Sequence, residues 1–280
     1  MTPTARPPAV AGMFYPAEPD QVRRDADRLL DAAEERLAAL SERPSPKALV
    51  IPHAGWMWSG DLAALGWQSL APRAPRIRCV LLLGPTHRVA IRGAALPGAD
   101  LFATPIGALR VPTEEVLAAT AGLEAPVHVD PLTHAEEHAL EVQVPFIQRV
   151  LGSDVELIPL NVGEAPPDAV ADIIDALWGG PETVVAVSSD LSHYHSWERA
   201  RELDADTLRR VQACEARIPA DRACGASPLN GLLAVCRRRG LAPRLLGADN
   251  SGDVAAPGAA LGDHSRVVGY AALSIEETAS

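Results

Sequence analysis

Cysteine, aromatic residues and clustered positive charge are all scarce in this chain of 280 residues. Aromatic side chains make up 4% of the chain, and its four cysteines form no CxxC pair. Lysine and arginine number 25 against 36 aspartates and glutamates, which gives a formal net charge of −11. Proteins that track nucleic-acid phosphates use clusters of positive charge. We therefore expect no nucleic-acid partner.

Long apolar runs are also missing. No uninterrupted run of about 18 apolar residues occurs, so we expect neither a membrane span nor a membrane partner. We expect no secretory signal peptide, and cysteines without a CxxC pattern suit a reducing compartment, so we expect a cytoplasmic protein. The hydrophobic share of 48% is enough for a large core. Because no linker interrupts the chain, we predict a single domain over residues 1–280.

Signatures of several enzyme classes are absent. The chain has no GxGxxG or Walker-type phosphate loop and no HExxH zinc motif. A serine nucleophile at Ser188, Ser189 or Ser192 would lack the GxSxG elbow. These absences disfavour nucleotide-dependent chemistry, zincin-type proteolysis and a serine triad.

Short apolar runs alternate with helical patterns along the whole chain. This alternation predicts an α/β fold with a largely parallel central sheet flanked by helices. A loop that contains glycine and aspartate separates the last two predicted strands. Predicted strands cover 48–51, 77–83, 155–160, the run before Asp190, 243–246 and 266–275, and predicted helices cover 20–42, 59–70, 198–214 and a segment from 228, with Ser59 as a possible N-cap.

Three of these strands end in side chains that bind metals or move protons. His53 follows the first strand and His87 follows the second. Asp190 and His193 follow a later one. In open α/β sheets, ligands bind outside the carboxyl ends of the strands. We therefore predict one shared site at one edge of the sheet.

A second polar cluster lies in residues 130–151. If this segment is helical from about residue 135, His134, His138 and Glu141 point to one side. Glu137 lies near them. Buried imidazoles and carboxylates need partners, and the predicted site at the strand ends would supply them.

Two imidazoles with one anionic ligand suit ferrous iron and its oxygen chemistry, and zinc or copper occupy similar sets. The residues leave the anionic ligand open among Asp190, Glu137, Glu141 and Cys224. Cys224 precedes a glycine and a predicted helix. A helix N-terminus favours the thiolate form of a nearby cysteine, so we expect Cys224 to ionise readily.

Six segments, in order and spacing, resemble the Memo family, which in bacteria is also called AmmeMemoRadiSam system protein B. The resemblance covers essentially the whole chain and implies a fold like that of class III extradiol dioxygenases, which are non-haem iron enzymes. The segments are AVAGMFYP at 9–16, IPHAGW at 51–56, LGPTHR at 83–88, EHALEVQVPF at 137–146, SSDLSHY at 188–194 and ACGASPLNGLL at 223–233.

The resemblance also implies roles for individual residues. His53 and His87 would be histidine ligands of a metal, and Cys224 would replace the carboxylate ligand of the dioxygenases. His193 would handle protons, with Asp190 beside it. The family's EHxxE-type motif lines the same pocket and implies two further catalytic residues, His138 and Glu141.

The predicted function is therefore that of a metal-dependent oxidoreductase acting on a small molecule. Iron(II) is the first expectation for the metal, with copper and zinc as alternatives. The family's bacterial name implies a radical SAM enzyme and a small companion protein as partners. A non-catalytic module that binds a peptide or an anion in the same crevice, and a metal-dependent hydrolase, are the alternative functions.

Overall fold

The computed structural model describes residues 3–42, 44–125, 127–254 and 263–276. Among these residues, twelve strands join into a mixed sheet. The strands are β1 (Ala5–Arg6), β2 (Ala48–Ile51), β3 (Cys79–Pro85), β4 (Ala94–Leu96), β5 (Leu101–Thr104), β6 (Gly107–Arg110), β7 (Val127–Val129), β8 (Glu156–Val162), β9 (Thr183–Ser188), β10 (His193–His195), β11 (Pro243–Asn250) and β12 (Val267–Ile275).

Eight α-helices accompany the sheet in the described ranges. Helices α1, α2 and α5 pack on one another, and α6 packs on α8, which contacts the central strands β3 and β9. None of the described helices combines the length and apolar character needed to cross a membrane. The helices are α1 (Pro19–Ala38), α2 (Trp56–Gln68), α3 (Thr113–Thr120), α4 (Pro131–Ala135), α5 (Val144–Leu151), α6 (Pro167–Ala176), α7 (Trp197–Gln212) and α8 (Ala226–Arg239).

The sheet runs in the order β1, β5, β6, β8, β3, β9, β2, β12, β10, with β11 on β12 and β4 between β7 and β8. Its centre, β8-β3-β9-β2, is parallel throughout. Antiparallel pairs such as β2 with β12 and β5 with β6 lie outside that centre. The predicted α/β class with a parallel central sheet flanked by helices is confirmed.

Burial explains why the central strands have continuous apolar sequences. Every residue of β2 and of β9 is buried, as expected for parallel strands covered on both faces. Ile51, the last residue of β2, pairs with Ser188, the last of β9. Pro85, the last of β3, pairs with Val162, the last of β8. The four strands therefore end together at one edge of the sheet.

Several predicted boundaries differ from the structure. The strand at 48–51 is confirmed residue for residue. Helix α2 begins at Trp56, so Ser59 lies inside the helix, and the prediction that it caps the helix is wrong. The prediction of a helix from residue 135 is also wrong, because α4 ends at Ala135. Helical structure resumes only at Glu141, in a short 3₁₀ turn that leads into α5. In the predicted glycine- and aspartate-containing loop, residues 255–262 lie outside the described residues.

Candidate metal centre

His53 lies two residues beyond β2 and is almost completely buried. Its Nδ1 is 2.9 Å from the Ser188 hydroxyl oxygen. That hydroxyl donates its only hydrogen to the carbonyl of Ala139 at 2.7 Å and accepts a bond from Gln143. Because Ser188 has no second hydrogen to give, Nδ1 of His53 must be the donor. The lone pair of His53 is therefore on Nε2.

Glu137 orients the other two histidines of the site. Its buried carboxylate accepts the backbone N–H of His87 at 2.6 Å and lies 2.9 Å from Nδ1 of the same residue. Nδ1 of His138 lies 3.2 Å from the carboxylate. Burial raises the pKa of Glu137, but hydrogen bonds from His138 and His87 outweigh it and hold that pKa well below its usual range. An ionised carboxylate on Nδ1 leaves Nε2 of each ring for a metal.

One ligand nitrogen from each of His53, His87 and His138 lies within 4.8 Å of the other two. The His53 and His87 ring centroids are 5.3 Å apart, and His87 stacks on His138 at 4.7 Å. Metal–imidazole bonds are about 2.1 Å long, so small side-chain movements would bring all three nitrogens onto one ion. Burial, followed by the neighbouring His138 and His87, holds the pKa of His53 well below its usual range, and the neutral ring is the form that binds metals.

Cys224 lies beside this trio. Its Sγ is 3.1 Å from Nε2 of His53 and accepts the backbone N–H of Asp190 at 3.3 Å. The expected ease of ionisation is not found, because burial and the nearby Asp190 raise the pKa of the thiol to about 12. The helix N-terminus is too weak to offset both effects. A bound cation would supply the missing stabilisation, because metals coordinate cysteine as thiolate.

Asp190 lies in the turn beyond β9, and His193 is the first residue of β10. Asp190 accepts the backbone N–H of His53 at 2.7 Å, and its burial raises the pKa of the carboxyl group. Nδ1 of His193 donates to the carbonyl of Leu191 at 2.8 Å, which leaves its Nε2 as an acceptor. Tyr194 follows with a positive φ of 62°, an uncommon conformation for a residue other than glycine.

The three histidines, Cys224, Asp190, His193 and Tyr194 line one open cleft of about 880 Å³, whereas Glu137 and Ser188 lie behind the histidines and do not line it. The cleft therefore gives a small molecule access to the three histidines, the cysteine and His193. Four aromatic side chains add apolar wall in a chain that has few aromatics. They are Phe14, Trp58, Tyr194 and Tyr270.

Glu141 is held elsewhere and is not among the residues that line this cleft. Its buried carboxylate forms an ion pair with Arg6. It also accepts the backbone N–H groups of Ala9 and Val10 and the hydroxyl of Tyr15. The guanidinium of Arg6 donates in turn to the carbonyl of Glu137 at 2.8 Å. Glu141 therefore fastens the N-terminal segment behind the metal centre.

Of the seven residues predicted for the site, six line the cleft: His53, His87, His138, Asp190, His193 and Cys224. Sequence reasoning missed Ser188 as the partner of His53 and treated Glu137 as one of several possible ligands. The available signal was position, since Ser188 ends a predicted strand and Glu137 directly precedes His138. Neither position reveals which nitrogen the side chain will contact. The roles of the seven residues stay predictions.

The sequence is similar to known proteins over nearly its whole length. A family model described as "Memo-like protein" matches residues 6–274. A "MEMO1 family protein" of Methanosarcina acetivorans is 32% identical, and the alignment covers 97% of this chain and 99% of that protein. A "MEMO1 family protein" of Archaeoglobus fulgidus is also 32% identical, with 96% and 98% covered.

Two further comparisons are more distant. A "MEMO1 family protein" of Sulfolobus acidocaldarius is 29% identical, and the alignment covers 95% of this chain and 97% of that protein. Among solved structures, an uncharacterized protein from Escherichia coli K12 matches with a TM-score of 0.47 and 12% identity, over 83% of this chain and 100% of that chain. That structural likeness is too weak to bear on function.

Proposed function

This chain belongs to the Memo-like protein family, and on that premise we propose that it is a metal-dependent oxidoreductase that acts on a small molecule in the cleft. The observation that carries the proposal is the convergence of His53, His87 and His138, with Nε2 left available on each ring. Nitrogen donors beside a sulfur donor suit iron, copper or zinc better than magnesium or calcium. Iron(II) is our first choice and copper the second.

The donors fit such an ion in two ways. His53 and His87 belong to both possible sets, and the third ligand is either His138 or the Cys224 sulfur. The 3.1 Å separation between Cys224 Sγ and His53 Nε2 supports the cysteine. The Glu137 contact at 3.2 Å supports His138 by turning its Nε2 away from the carboxylate. When bound, iron or copper would supply a redox-active Lewis acid.

The protein's own residues would position and deprotonate the substrate. His193 lines the cleft, and because its Nδ1 donates to Leu191, Nε2 is the ring nitrogen left to exchange a proton. It is therefore the group that can take a proton from a substrate hydroxyl and later return it. Asp190 holds the backbone of His53 and so fixes the ring relative to His193. The apolar walls reduce the access of water to the bound substrate.

Elemental analysis of anaerobically purified protein tests the metal site. We expect a stoichiometric transition metal in the wild type and its loss from His53→Ala. The control is His128→Ala, which removes a histidine on β7 that does not line the cleft and should leave the metal content unchanged. Retention of stoichiometric metal in His53→Ala would show that the imidazoles are not its ligands.

Cobalt(II) substitution distinguishes the two ligand sets. A cobalt–thiolate bond gives charge-transfer absorption in the near ultraviolet, which Cys224→Ser would lack if the cysteine is a ligand. An unchanged spectrum in Cys224→Ser, together with loss of cobalt binding in His138→Ala, would assign the third position to His138.

The alternative functions give different results with the same protein. A non-catalytic binding module would hold its peptide or anion equally well after chelation. A hydrolase would contain zinc and would consume no oxygen with any substrate. Oxygen uptake that requires the metal and falls sharply in His193→Ala would support the oxidoreductase. If the His193→Ala protein binds its metal and turns over as fast as the wild type, His193 does not transfer the proton.

A further inference from the structure

Cys214 lies two residues beyond the end of α7 and has the left-handed backbone conformation that glycine usually adopts at this position. Cys214 has a φ of 54°. Its N–H donates to the carbonyl of Val211, and the N–H of Glu215 donates to the carbonyl of Arg210, both at 2.9 Å. This pair of bonds is the Schellman arrangement, in which the residue at the Cys214 position is most often glycine. The backbone at Cys214 is therefore strained in a way that glycine, which has no side chain, would avoid.

Helix α8 provides the comparison within the same chain. Its left-handed residue is Gly240, with a φ of 68°. The N–H of Leu241 donates to the carbonyl of Cys236 at 2.8 Å, which is the same bond that Glu215 makes in α7. The two helices thus end in the same way, with glycine in one and cysteine in the other.

The two helix ends meet through sulfur. Cys214 Sγ donates to the carbonyl of Leu241 at 3.3 Å. Because Cys214 gives its only hydrogen to that carbonyl, Cys236 is the donor in the contact between the two cysteine side chains. Cys236 is fully buried, whereas Cys214 is 8% exposed and has exposed residues on either side. A small solute can therefore reach Cys214 first.

The hydrogen bond makes the two thiols chemically different. It lowers the pKa of Cys214, the acceptor, and the positive charge of Arg237 acts in the same direction. The same bond, together with burial, raises the pKa of Cys236. The thiolate is the reactive form of cysteine, so Cys214 is suited to react first and Cys236 to react second.

We propose that Cys214 and Cys236 form a redox-modification site, which hydrogen peroxide converts to a disulfide between the C-terminal ends of α7 and α8. The Cys214 thiolate attacks one peroxide oxygen, the O–O bond breaks, and sulfenic acid and hydroxide form. The Cys236 sulfur then attacks the Cys214 sulfur, the S–O bond breaks, and water leaves. Overall, two thiols lose two hydrogens and one peroxide becomes two waters.

This site is separate from the metal centre and does not depend on the proposed function. Helix α7 begins two residues after His195, and α8 begins two residues after Cys224. The disulfide would therefore join the far ends of the two helices that lead away from the cleft. Reducing thiols would reopen it by thiol–disulfide exchange.

Peptide mapping of the full chain tests the proposal. Tryptic cleavage places Cys214 in 211–217, while Cys224 and Cys236 share 223–237. The Cys224→Ser protein is treated with stoichiometric peroxide, alkylated and digested, so that any link between these peptides must join Cys214 to Cys236. We expect the linked pair, an intact mass lower by two hydrogens, and full reversal by dithiothreitol. The wild type should give the same link by fragmentation.

Cys214→Gly is the matched variant. The substitution introduces glycine, the residue that follows α8 at the same position. The melting temperature of the reduced variant should therefore be no lower than that of the reduced wild type. It should form no linked peptide and should lose the rise in melting temperature that peroxide gives the wild type. The proposal is overturned if peroxide leaves both thiols free for alkylation, or if Cys214 reaches sulfinic acid while Cys236 stays a thiol.

Discussion

At the level of single residues, Glu137 fixes the orientation of two histidines at once, although it need not bind the metal itself. Its carboxylate contacts Nδ1 of both His87 and His138 and accepts their backbone N–H groups. Ser188 does the equivalent for His53 with a neutral hydroxyl. Partners of this kind fix which ring nitrogen carries the proton, and their loss weakens metal binding without removing a ligand.

Glu137→Gln should weaken metal affinity by about 10- to 100-fold, because the amide carries no charge and offers one acceptor oxygen in place of two. Competition with a chelating dye measures the dissociation constant. Glu136→Gln is the matched control, since Glu136 is the exposed neighbour, and its affinity should equal that of the wild type. Equal affinities for all three proteins would mean that Glu137 does not orient the ligands.

Glu141→Gln should lower the free energy of unfolding by about 3 kcal/mol or more, because it leaves the buried Arg6 guanidinium without its counter-charge. The control is Asp27→Asn, which breaks the exposed pair with Arg149 and should cost less than about 1 kcal/mol. Urea unfolding measures both. A loss of turnover in Glu141→Gln at full stability and full metal content would instead support the catalytic role predicted from the sequence.

At the level of elements, residues 131–151 explain why a helical pattern failed to give a continuous helix. The Glu137 side chain accepts the N–H groups of His138 and Ala139 at 2.9 and 3.0 Å. Side-chain bonds of this kind compete with the helical backbone bonds. Pro145 then enters the first turn of α5 without an N–H group. The interruption allows Glu137 and His138 to face the metal centre, while Glu141 faces Arg6.

Gly225→Ala tests how closely α8 must approach β9. A Cβ at this position would lie 2.7 Å from Cβ of Ser189 and 2.8 Å from the carbonyl oxygen of Ser188. The crowding should destabilise the fold by about 1–3 kcal/mol and move Cys224 away from His53. Gly122→Ala, where a Cβ meets nothing within 4 Å, is the control and should stay near wild type in urea unfolding. A Gly225→Ala protein as stable as the control would contradict the close contact.

At the level of the whole molecule, burial couples stability to pH. His134 lies on α4 and is buried against β4, where its Nε2 bonds to the carbonyl of Ala95. Burial lowers the pKa of His134 from 6.5 to about 4. Between these two values the unfolded chain binds a proton that the folded chain does not. The stability contributed by the neutral ring is therefore complete above pH 6.5 and is lost as the pH falls toward 4.

His134→Gln should reduce this pH dependence. The wild type should lose up to about 1.4 kcal/mol per pH unit from this residue across that range, and the variant should lose correspondingly less between pH 6.5 and 5. Urea unfolding of chelator-treated proteins at several pH values measures the difference, because any titration of the metal ligands is common to both. Parallel pH profiles for the two proteins would show that His134 takes up its proton without unfolding.

Local patterns in the sequence were sufficient for the α/β class, for the strand at 48–51 and for the expectation that His53, His87 and Asp190 meet at one edge of the sheet. Apolar runs and the residues that end them act over a few positions. The motifs from 9–16 to 223–233 were also sufficient for the family. Only the tertiary structure decided that Glu137 orients two histidines, that Ser188 orients a third and that Glu141 binds Arg6. These contacts join residues as much as 135 positions apart, and the sequence pattern does not encode which distant partner a polar side chain meets when the chain is packed.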